Sequence, residues 1–258
     1  ESEAISELAK TTPLILVITA TTAAAHNLVS ELPFFLSDDR EILLVPDWET
    51  LPYDNFSPHE DIVSDRLKAL SRLPTLKSGV VIVSVTTLMH RLAPRHFIDA
   101  GVLSLKTGEA LNAEPFVRNL TRNGYRSVDT VYEHGEFATR GSLLDVFPMG
   151  SDEPLRIDLF DGDIESLRSF DPETQRTAQR LQRVDLLPAR EFPLHTDAIE
   201  RFKIDWYRSF DGDPERCSVF NEISQGRAPQ GAEYYLPLFF DECHSIFDYL
   251  PVNTPLVM

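Results

Sequence analysis

Three short, mainly apolar runs constrain the fold of this chain more than any other feature. The runs cover 14–18, 41–45 and 80–83, and each is as long as a typical strand. Apolar residues at helical spacing lie between them, and the clearest of these segments predicts a helix over 60–73. Apolar strands joined by helices are typical of a parallel sheet buried on both faces. We therefore predict an α/β domain that begins with residues 1–101.

The stretch from Tyr132 to Pro172 has a different pattern and predicts three or four short strands with turns between them. Alternation places three of its residues on a core face: Leu155, Ile157 and Leu159. It places three others on a solvent face: Arg156, Asp158 and Phe160. Arg140, just before Gly141, is within reach of that second face. An arginine beside an exposed aromatic is typical of interface anchors, but a salt-bridged strand face with one incidental phenylalanine fits the pattern as well.

The remaining segments predict a second unit placed inside the first. Residues 102–188 are interpreted as an antiparallel α+β insertion, with a helix over 112–123 and an exposed strand over 125–132. A helix from Thr86 to Leu92 is predicted before the insertion. Residues 189–258 are more helical and end on an apolar pair that suggests one more core strand, Leu256 and Val257.

Charge and composition limit the classes of partner. The chain has 258 residues and a formal net charge of −17, spread over all its parts. That charge opposes tight, phosphate-driven binding to nucleic acids and suits contacts with other proteins. No run of about 18 apolar residues predicts a membrane span, and the acidic start is unlike a secretory signal. We expect a cytoplasmic protein and, since the chain begins without Met, a piece of a longer one.

Catalytic and metal-binding motifs are not found in the sequence. It contains no GxxxxGK[ST], GxSxG or HExxH, and Cys217 and Cys243 form no CxxC, so both are expected to be reduced thiols. His244 beside Cys243 lacks further ligands at usable spacing. One cluster has the residue types of a metal-dependent nuclease: Asp47, Glu49, Asp54, His59, Glu60 and Asp61. These residues lie in a proline-rich loop and at a helix start, where acidic residues are common as caps, so we predict a structural role.

Three runs resemble a known family. They are DWETLPYDNFSPHEDIVSDRLKAL at 47–70, EHGEFATRGSLLDVFPMGSDEPLRIDLFDGDIESLRSFD at 133–171, and LLPAREFP at 186–193. Together they are similar to the N-terminal part of the bacterial transcription-repair coupling factors, the Mfd family, over essentially the whole chain. The excision-repair protein UvrB is more distantly similar, best over 133–171.

The resemblance implies a split, degenerate RecA-like helicase lobe, formed by residues 1–101 and 189–258, with an inserted α+β domain at 102–188. In UvrB the corresponding domain contacts UvrA, the damage-recognition ATPase. By motif position, the family's contact residues correspond to Arg140, Arg156 and Phe160. The expected function is a non-catalytic module that recruits UvrA to stalled-polymerase sites in nucleotide excision repair.

Two differences, one from UvrB and one from an active helicase lobe, argue against a DNA-probing or ATP-hydrolysing function. After YDNFSPHE the chain enters a helix, so there is no room for the hairpin with which UvrB probes DNA. The family's ATP and Mg²⁺ motor, and its contacts with RNA polymerase and DNA, are expected outside these residues, so no cofactor and no metal are expected here. Other domains of a longer protein are expected to mask the UvrA surface. The alternative is a UvrB-like DNA-damage-binding module or a degenerate NTPase.

Overall fold

The strands and helices of the chain form one parallel sheet and one larger antiparallel sheet. A computed structural model describes residues 2–37, 40–52 and 56–258. Its strands are β1 Leu14–Thr19, β2 Glu41–Val45, β3 Gly79–Ser84, β4 Leu103–Lys106, β5 Arg126–Ser127, β6 Glu136–Arg140, β7 Leu143–Val146, β8 Leu155–Phe160, β9 Asp163–Phe170, β10 Thr177–Leu181, β11 Arg183–Leu186 and β12 Leu256–Val257. Its helices are α1 Ser2–Thr11, α2 Thr22–Glu31, α3 Glu60–Arg72, α4 Val85–Leu88, α5 Arg95–Gly101, α6 Ala113–Arg122, α7 Thr196–Ser209, α8 Ser218–Ser224 and α9 Ile246–Tyr249.

The three apolar runs form a parallel sheet, as predicted. The strand order is β12-β1-β3-β2, and every neighbouring pair is parallel. The central strand β3 is buried along its whole length, because α1 and α2 cover one face of the sheet and α3 and α9 cover the other. β12 lies beside β1, with Leu256 opposite Leu16, so residues near the two ends of the sequence share one sheet.

The middle of the chain forms the antiparallel sheet, in the order β10-β9-β8-β7-β6-β5. Its pairs are antiparallel except β5 with β6, and a separate ribbon joins β11 to β4. One face packs on α6, with Leu144, Ile157 and Leu167 in that core. The stretch from Tyr132 to Pro172 thus contains four strands. Of its predicted core residues, Leu155 and Ile157 are buried and Leu159 is partly buried against the same core.

Helix α3 joins the two sheets because it has two apolar faces. Leu70 packs in the core of the parallel sheet, whereas Val63 and Leu67 pack in the core of the antiparallel sheet. The hydroxyl of Ser64 accepts a hydrogen bond from the Gly150 backbone N–H at 2.8 Å. The orientation of the antiparallel sheet is therefore set by this helix. Within the described ranges, no helix has the length and apolar content needed to cross a bilayer.

A buried ion pair connects α3 to the segment that follows the antiparallel sheet. Arg66 donates to Glu191 through Nε at 2.7 Å and through Nη2 at 3.3 Å, and the two side chains are 0% and 2% exposed. Trp48 Nε1 donates to the same carboxylate at 3.2 Å, and the Arg66 guanidinium lies 4.9 Å from the Trp48 ring centroid. Arg66 Nη1 also donates to the Pro46 backbone oxygen at 2.7 Å. The loop after β2 is thus held by residues from two other parts of the sequence.

The prediction of an exposed strand over 125–132 is wrong in extent. Only Arg126–Ser127 pairs with a neighbour, and the alternating residues on either side are buried. Tyr125 is covered and donates its hydroxyl to the Leu187 backbone oxygen at 2.7 Å, and Val131, in a loop at 128–131, packs against Ala138 and Phe170 of the sheet. Contacts with segments distant in sequence cause the burial of Tyr125 and Val131, and local alternation does not predict such contacts.

The prediction of a helix from Thr86 to Leu92 is also wrong in extent. The helix is the single turn Val85–Leu88, capped by the Ser84 hydroxyl. Leu92 instead forms an isolated bridge with His244, with backbone N–H to oxygen distances of 2.8 and 2.9 Å. Helix α5 then begins after Pro94, where no helix was predicted.

Candidate functional site

Neighbouring strands bring the predicted site residues to one face of the antiparallel sheet. Arg140 of β6 pairs with Leu143 of β7, which pairs with Asp158 of β8. Residues paired across strands project to the same side, as do residues two apart along a strand. Arg140, Arg156, Asp158 and Phe160 therefore share one face, called the candidate face below. The register settles the side of Arg140, which alternation alone left open.

Arg156 is held by protein partners on this face. Nε and Nη2 donate to the two carboxylate oxygens of Asp145 at 2.7 and 2.8 Å, and Nη1 donates to the Gln175 backbone oxygen at 3.3 Å. The guanidinium lies 4.7 Å from the Phe170 ring centroid. The hydrogen bonds with Asp145 raise the pKa of Arg156, and burial opposes this shift only in part. The side chain is 16% exposed, so the prediction that it faces open solvent is wrong, although its side of the sheet is as predicted.

The loop 128–131 covers part of the candidate face and explains the burial of Arg156. Its Val131 packs into a small apolar cluster with three residues of the sheet, Ala138, Phe147 and Phe170. Arg140 Nη2 donates to the Asp129 backbone oxygen at 2.6 Å and to Thr130 Oγ1 at 2.8 Å. Gln175 Nε2 donates to the Val131 backbone oxygen at 3.1 Å. Arg140 directly, and Arg156 through Gln175, thus support the same loop.

Phe160 stands at the tip of the hairpin between β8 and β9. It pairs with Asp163, and the two residues between them, Asp161 and Gly162, have φ angles of +52° and +86°. An Asp-Gly pair with two positive φ angles is the two-residue turn that matches the twist of antiparallel strands. The turn fixes the backbone, yet the Phe160 ring is 71% exposed. A large aromatic side chain is therefore presented to solvent by an ordered hairpin.

A second arginine–carboxylate pair lies next to the first. Arg168 of β9 is directly opposite Arg156, and its Nη2 donates to Asp158 Oδ2. Within the described residues, Arg168 Nε is buried without a hydrogen-bond partner. Sequence reasoning did not identify Asp145 or Arg168. The signal for Asp145 was present, because a carboxylate inside the apolar run SLLDVFP requires an internal cation or donor.

The acidic cluster of the first loop makes structural contacts. Asp47 accepts hydrogen bonds from the Thr86 and Thr87 hydroxyls at 2.8 and 2.9 Å and from the Glu49 backbone N–H at 3.1 Å. Burial raises the pKa of Asp47, but these hydrogen bonds together hold it below its usual value. His59 caps α3 by accepting from the Asp61 backbone N–H.

Asp54 lies outside the described residues. In the part of the chain that the structure describes, no group of three or more His, Cys, Asp or Glu side chains is placed to hold a metal ion. Cys217 and Cys243 are free, half-buried thiols, and burial raises the pKa of Cys243.

A cavity of about 260 Å³ lies where the segment before α3, the antiparallel sheet and the chain after β11 meet. Three carboxylates and two guanidinium groups line it: Glu60, Glu191, Glu233, Arg126 and Arg190. Burial raises the pKa of Glu233 to about 6 and also raises the pKa of Glu60. Burial lowers the pKa of Arg190. Two of the carboxyl groups that line this cavity, those of Glu60 and Glu233, thus hold their protons more tightly than in water.

Comparison with known proteins places these features in a family context. Residues 103–192 match the family described as the UvrB interaction domain. A transcription-repair-coupling factor of Escherichia coli (strain K12) is 49% identical over 222 residues, which are 85% of this chain and 19% of that protein. One from Haemophilus influenzae is 44% identical over 258 residues, covering 98% of this chain and 22% of that protein. One from Bacillus subtilis is 26% identical over 264 residues, covering 95% and 22%. The chain thus spans about a fifth of the length of these relatives.

Proposed function

The chain is a homologue of part of the transcription-repair-coupling factors and carries a UvrB interaction domain, and we propose that it is a non-catalytic module that recruits UvrA. Recruitment would deliver UvrA to stalled-polymerase sites during nucleotide excision repair in the bacterial cytoplasm. The proposal assigns contacts with RNA polymerase and DNA, and ATP and Mg²⁺ chemistry, to regions outside this chain. Other domains of a longer protein would mask the UvrA surface until it is needed.

The observation that carries the proposal is the candidate face. Phe160 is 71% exposed on an ordered hairpin, and Arg140 and Arg156 lie on the same side of the sheet. Aromatic and arginine side chains dominate the binding energy of many protein interfaces. The surrounding acidic chain, at −17, makes such a surface distinct from the rest of the molecule. Residues 103–192, which match the UvrB interaction domain, include all three residues.

The proposal extends to the architecture. Residues 1–101 and 189–258 would form a split, degenerate RecA-like lobe, and residues 102–188 would form the inserted UvrA-binding domain. The parallel sheet shared by β1 and β12 supports this division, because it joins residues from both outer segments. The range that matches the UvrB interaction domain, 103–192, also supports this division, because it nearly coincides with the proposed insertion at 102–188.

Binding of UvrA to the wild-type chain and to Phe160→Ala tests the function. We expect the variant to lose about 1–3 kcal/mol of binding free energy, measured by titration calorimetry, because an exposed anchor is removed. Phe34→Ala is the matched control, since Phe34 is 86% exposed on the part built around the parallel sheet. Equal affinity of wild type and Phe160→Ala, with both folded, would remove Phe160 from the site. Absence of UvrA binding by the wild-type chain would overturn the function itself.

A further inference from the structure

Asp145 lies on the candidate face directly opposite Arg156, but it is buried there and only 3% exposed, so a docked protein has almost no access to it. Both of its carboxylate oxygens accept hydrogen bonds from Arg156. A carboxylate that accepts hydrogen bonds from both Nε and Nη2 holds the guanidinium group in one plane and in one orientation. Asp145 therefore determines where the Arg156 guanidinium points.

The other contacts of Arg156 leave a defined part of it for a partner. Arg156 has five N–H groups, and the Asp145 and Gln175 contacts use three of them. Among the described residues, one N–H on Nη1 and one on Nη2 have no further acceptor, and the guanidinium plane is further fixed by the Phe170 ring. The side chain is 16% exposed, so a part of it is accessible to a partner. A small rotation of the guanidinium would turn that part away from an approaching protein.

We infer that Asp145 is a positioning residue of the UvrA-docking surface, acting through Arg156 without touching the partner. The inference rests on the proposed function. It adds a residue whose substitution weakens docking although the residue is buried. The Asp145 carboxylate orders the Arg156 side chain before the partner binds. This ordering lowers the conformational entropy that is lost on binding.

The surrounding contacts show why this one carboxylate matters. Arg156 ties β8 to the turn that contains Gln175, and Gln175 in turn holds the loop 128–131. Arg140 holds the same loop from its other side. Loss of the Asp145 contact would release Arg156 first and then the Gln175 contact that depends on it.

A double-mutant cycle with UvrA tests the inference. Asp145→Asn keeps the shape of the side chain but turns an amide NH₂ toward the Arg156 Nη2 donor, which breaks the paired hydrogen bonds. We expect Asp145→Asn and Arg156→Ala each to weaken UvrA binding about tenfold, and the double variant to be no weaker than Arg156→Ala alone. A loss that does not act through Arg156 would add to that of Arg156→Ala. Glu41→Gln is the matched control, because Glu41 accepts Nε and Nη2 of Arg72 in the same way on the parallel-sheet part.

Results that contradict the role of Asp145 differ from results that contradict the proposed function. Unchanged UvrA affinity of Asp145→Asn would overturn the inference, and so would additive losses in the double variant. An equal loss in Glu41→Gln would overturn it as well, since any broken arginine–carboxylate pair would then suffice. Circular dichroism and thermal unfolding confirm that each variant is folded, and Arg156→Lys, which keeps charge but loses the paired geometry, replaces any variant that is not. Failure of the wild-type chain to bind UvrA would concern the proposed function instead.

Discussion

Arg66 and Glu191 lie 125 residues apart in sequence and form a fully buried ion pair with an Nε to Oε1 distance of 2.7 Å. The pair links α3 to the chain that leaves the antiparallel sheet, and Trp48 donates to the same carboxylate. Removal of one member leaves the other charge buried without a partner, which is costly.

We predict that Glu191→Ala lowers the free energy of unfolding by about 3–5 kcal/mol, because the Arg66 guanidinium and Trp48 Nε1 both lose their acceptor. Urea unfolding followed by tryptophan fluorescence measures this change. Glu41→Ala provides the comparison, since Glu41 and Arg72 form a half-exposed pair that should contribute about 1 kcal/mol or less. Similar losses in the two variants would show that burial does not set the strength of the Arg66–Glu191 pair.

Glu233 predicts a pH dependence of stability. Burial raises its pKa to about 6 in the folded chain, above the value of an exposed glutamate, so the folded state binds the proton more tightly than the unfolded state. The contribution of Glu233 to stability is therefore most favourable below about pH 4.5 and is lost as pH rises through about 6.

We expect Glu233→Gln to be more stable than wild type by about 1 kcal/mol at pH 7 to 8 and equally stable near pH 4.5. The amide oxygen can still accept from the Ser57 hydroxyl, which donates to Glu233 Oε2 at 3.0 Å. Thermal unfolding across this pH range measures the difference, with the exposed residue Glu242 changed to Gln as the control. A difference between Glu233→Gln and wild type that is independent of pH would contradict the assignment.

Salt should separate the roles of Arg140 and Phe160 in UvrA binding. Arg140 is exposed and positively charged, so we predict that wild-type affinity falls as salt rises from about 50 to about 500 mM and that Arg140→Ala reduces this dependence. Phe160→Ala should lower affinity by the same factor at every salt concentration, because the lost contact is apolar. Titration calorimetry at several salt concentrations distinguishes these patterns. Parallel salt dependences in wild type and Arg140→Ala would exclude an ionic contact by Arg140.

A measurement of DNA binding distinguishes the proposed function from the alternative of a DNA-damage-binding module. With a net charge of −17, and with Arg156 and Arg168 already paired to carboxylates, we predict no submicromolar affinity for damaged duplex DNA at low salt. Fluorescence anisotropy with damaged and undamaged duplexes measures this. Submicromolar binding that prefers the damaged duplex would favour the alternative of a UvrB-like DNA-damage-binding module.

Local sequence patterns were sufficient for some of the regular elements. Consecutive apolar residues predict β1 to β3, and the sequence also predicts the helices that form α3 and α6. They failed for the residues around the candidate face, such as Val131, because burial there depends on a loop that folds back over the sheet. Alternation gave the side of Arg156 correctly but not its partner Asp145, since the register between β7 and β8 is needed to bring the two together.

The two apolar faces of α3 have a consequence for the order of events during synthesis. Chains emerge from the ribosome N-terminus first, and α3 is made long before Glu191 and before the strands that cover Val63 and Leu67. During that interval one apolar face of the helix, and Arg66 with it, remains in water. The antiparallel strands are close neighbours in sequence and can fold next, whereas β12 must find β1 across almost the whole chain. We therefore expect β12 to pair with β1 after the antiparallel sheet has formed, so that the surface that we assign to UvrA is in place before β12 joins the parallel sheet.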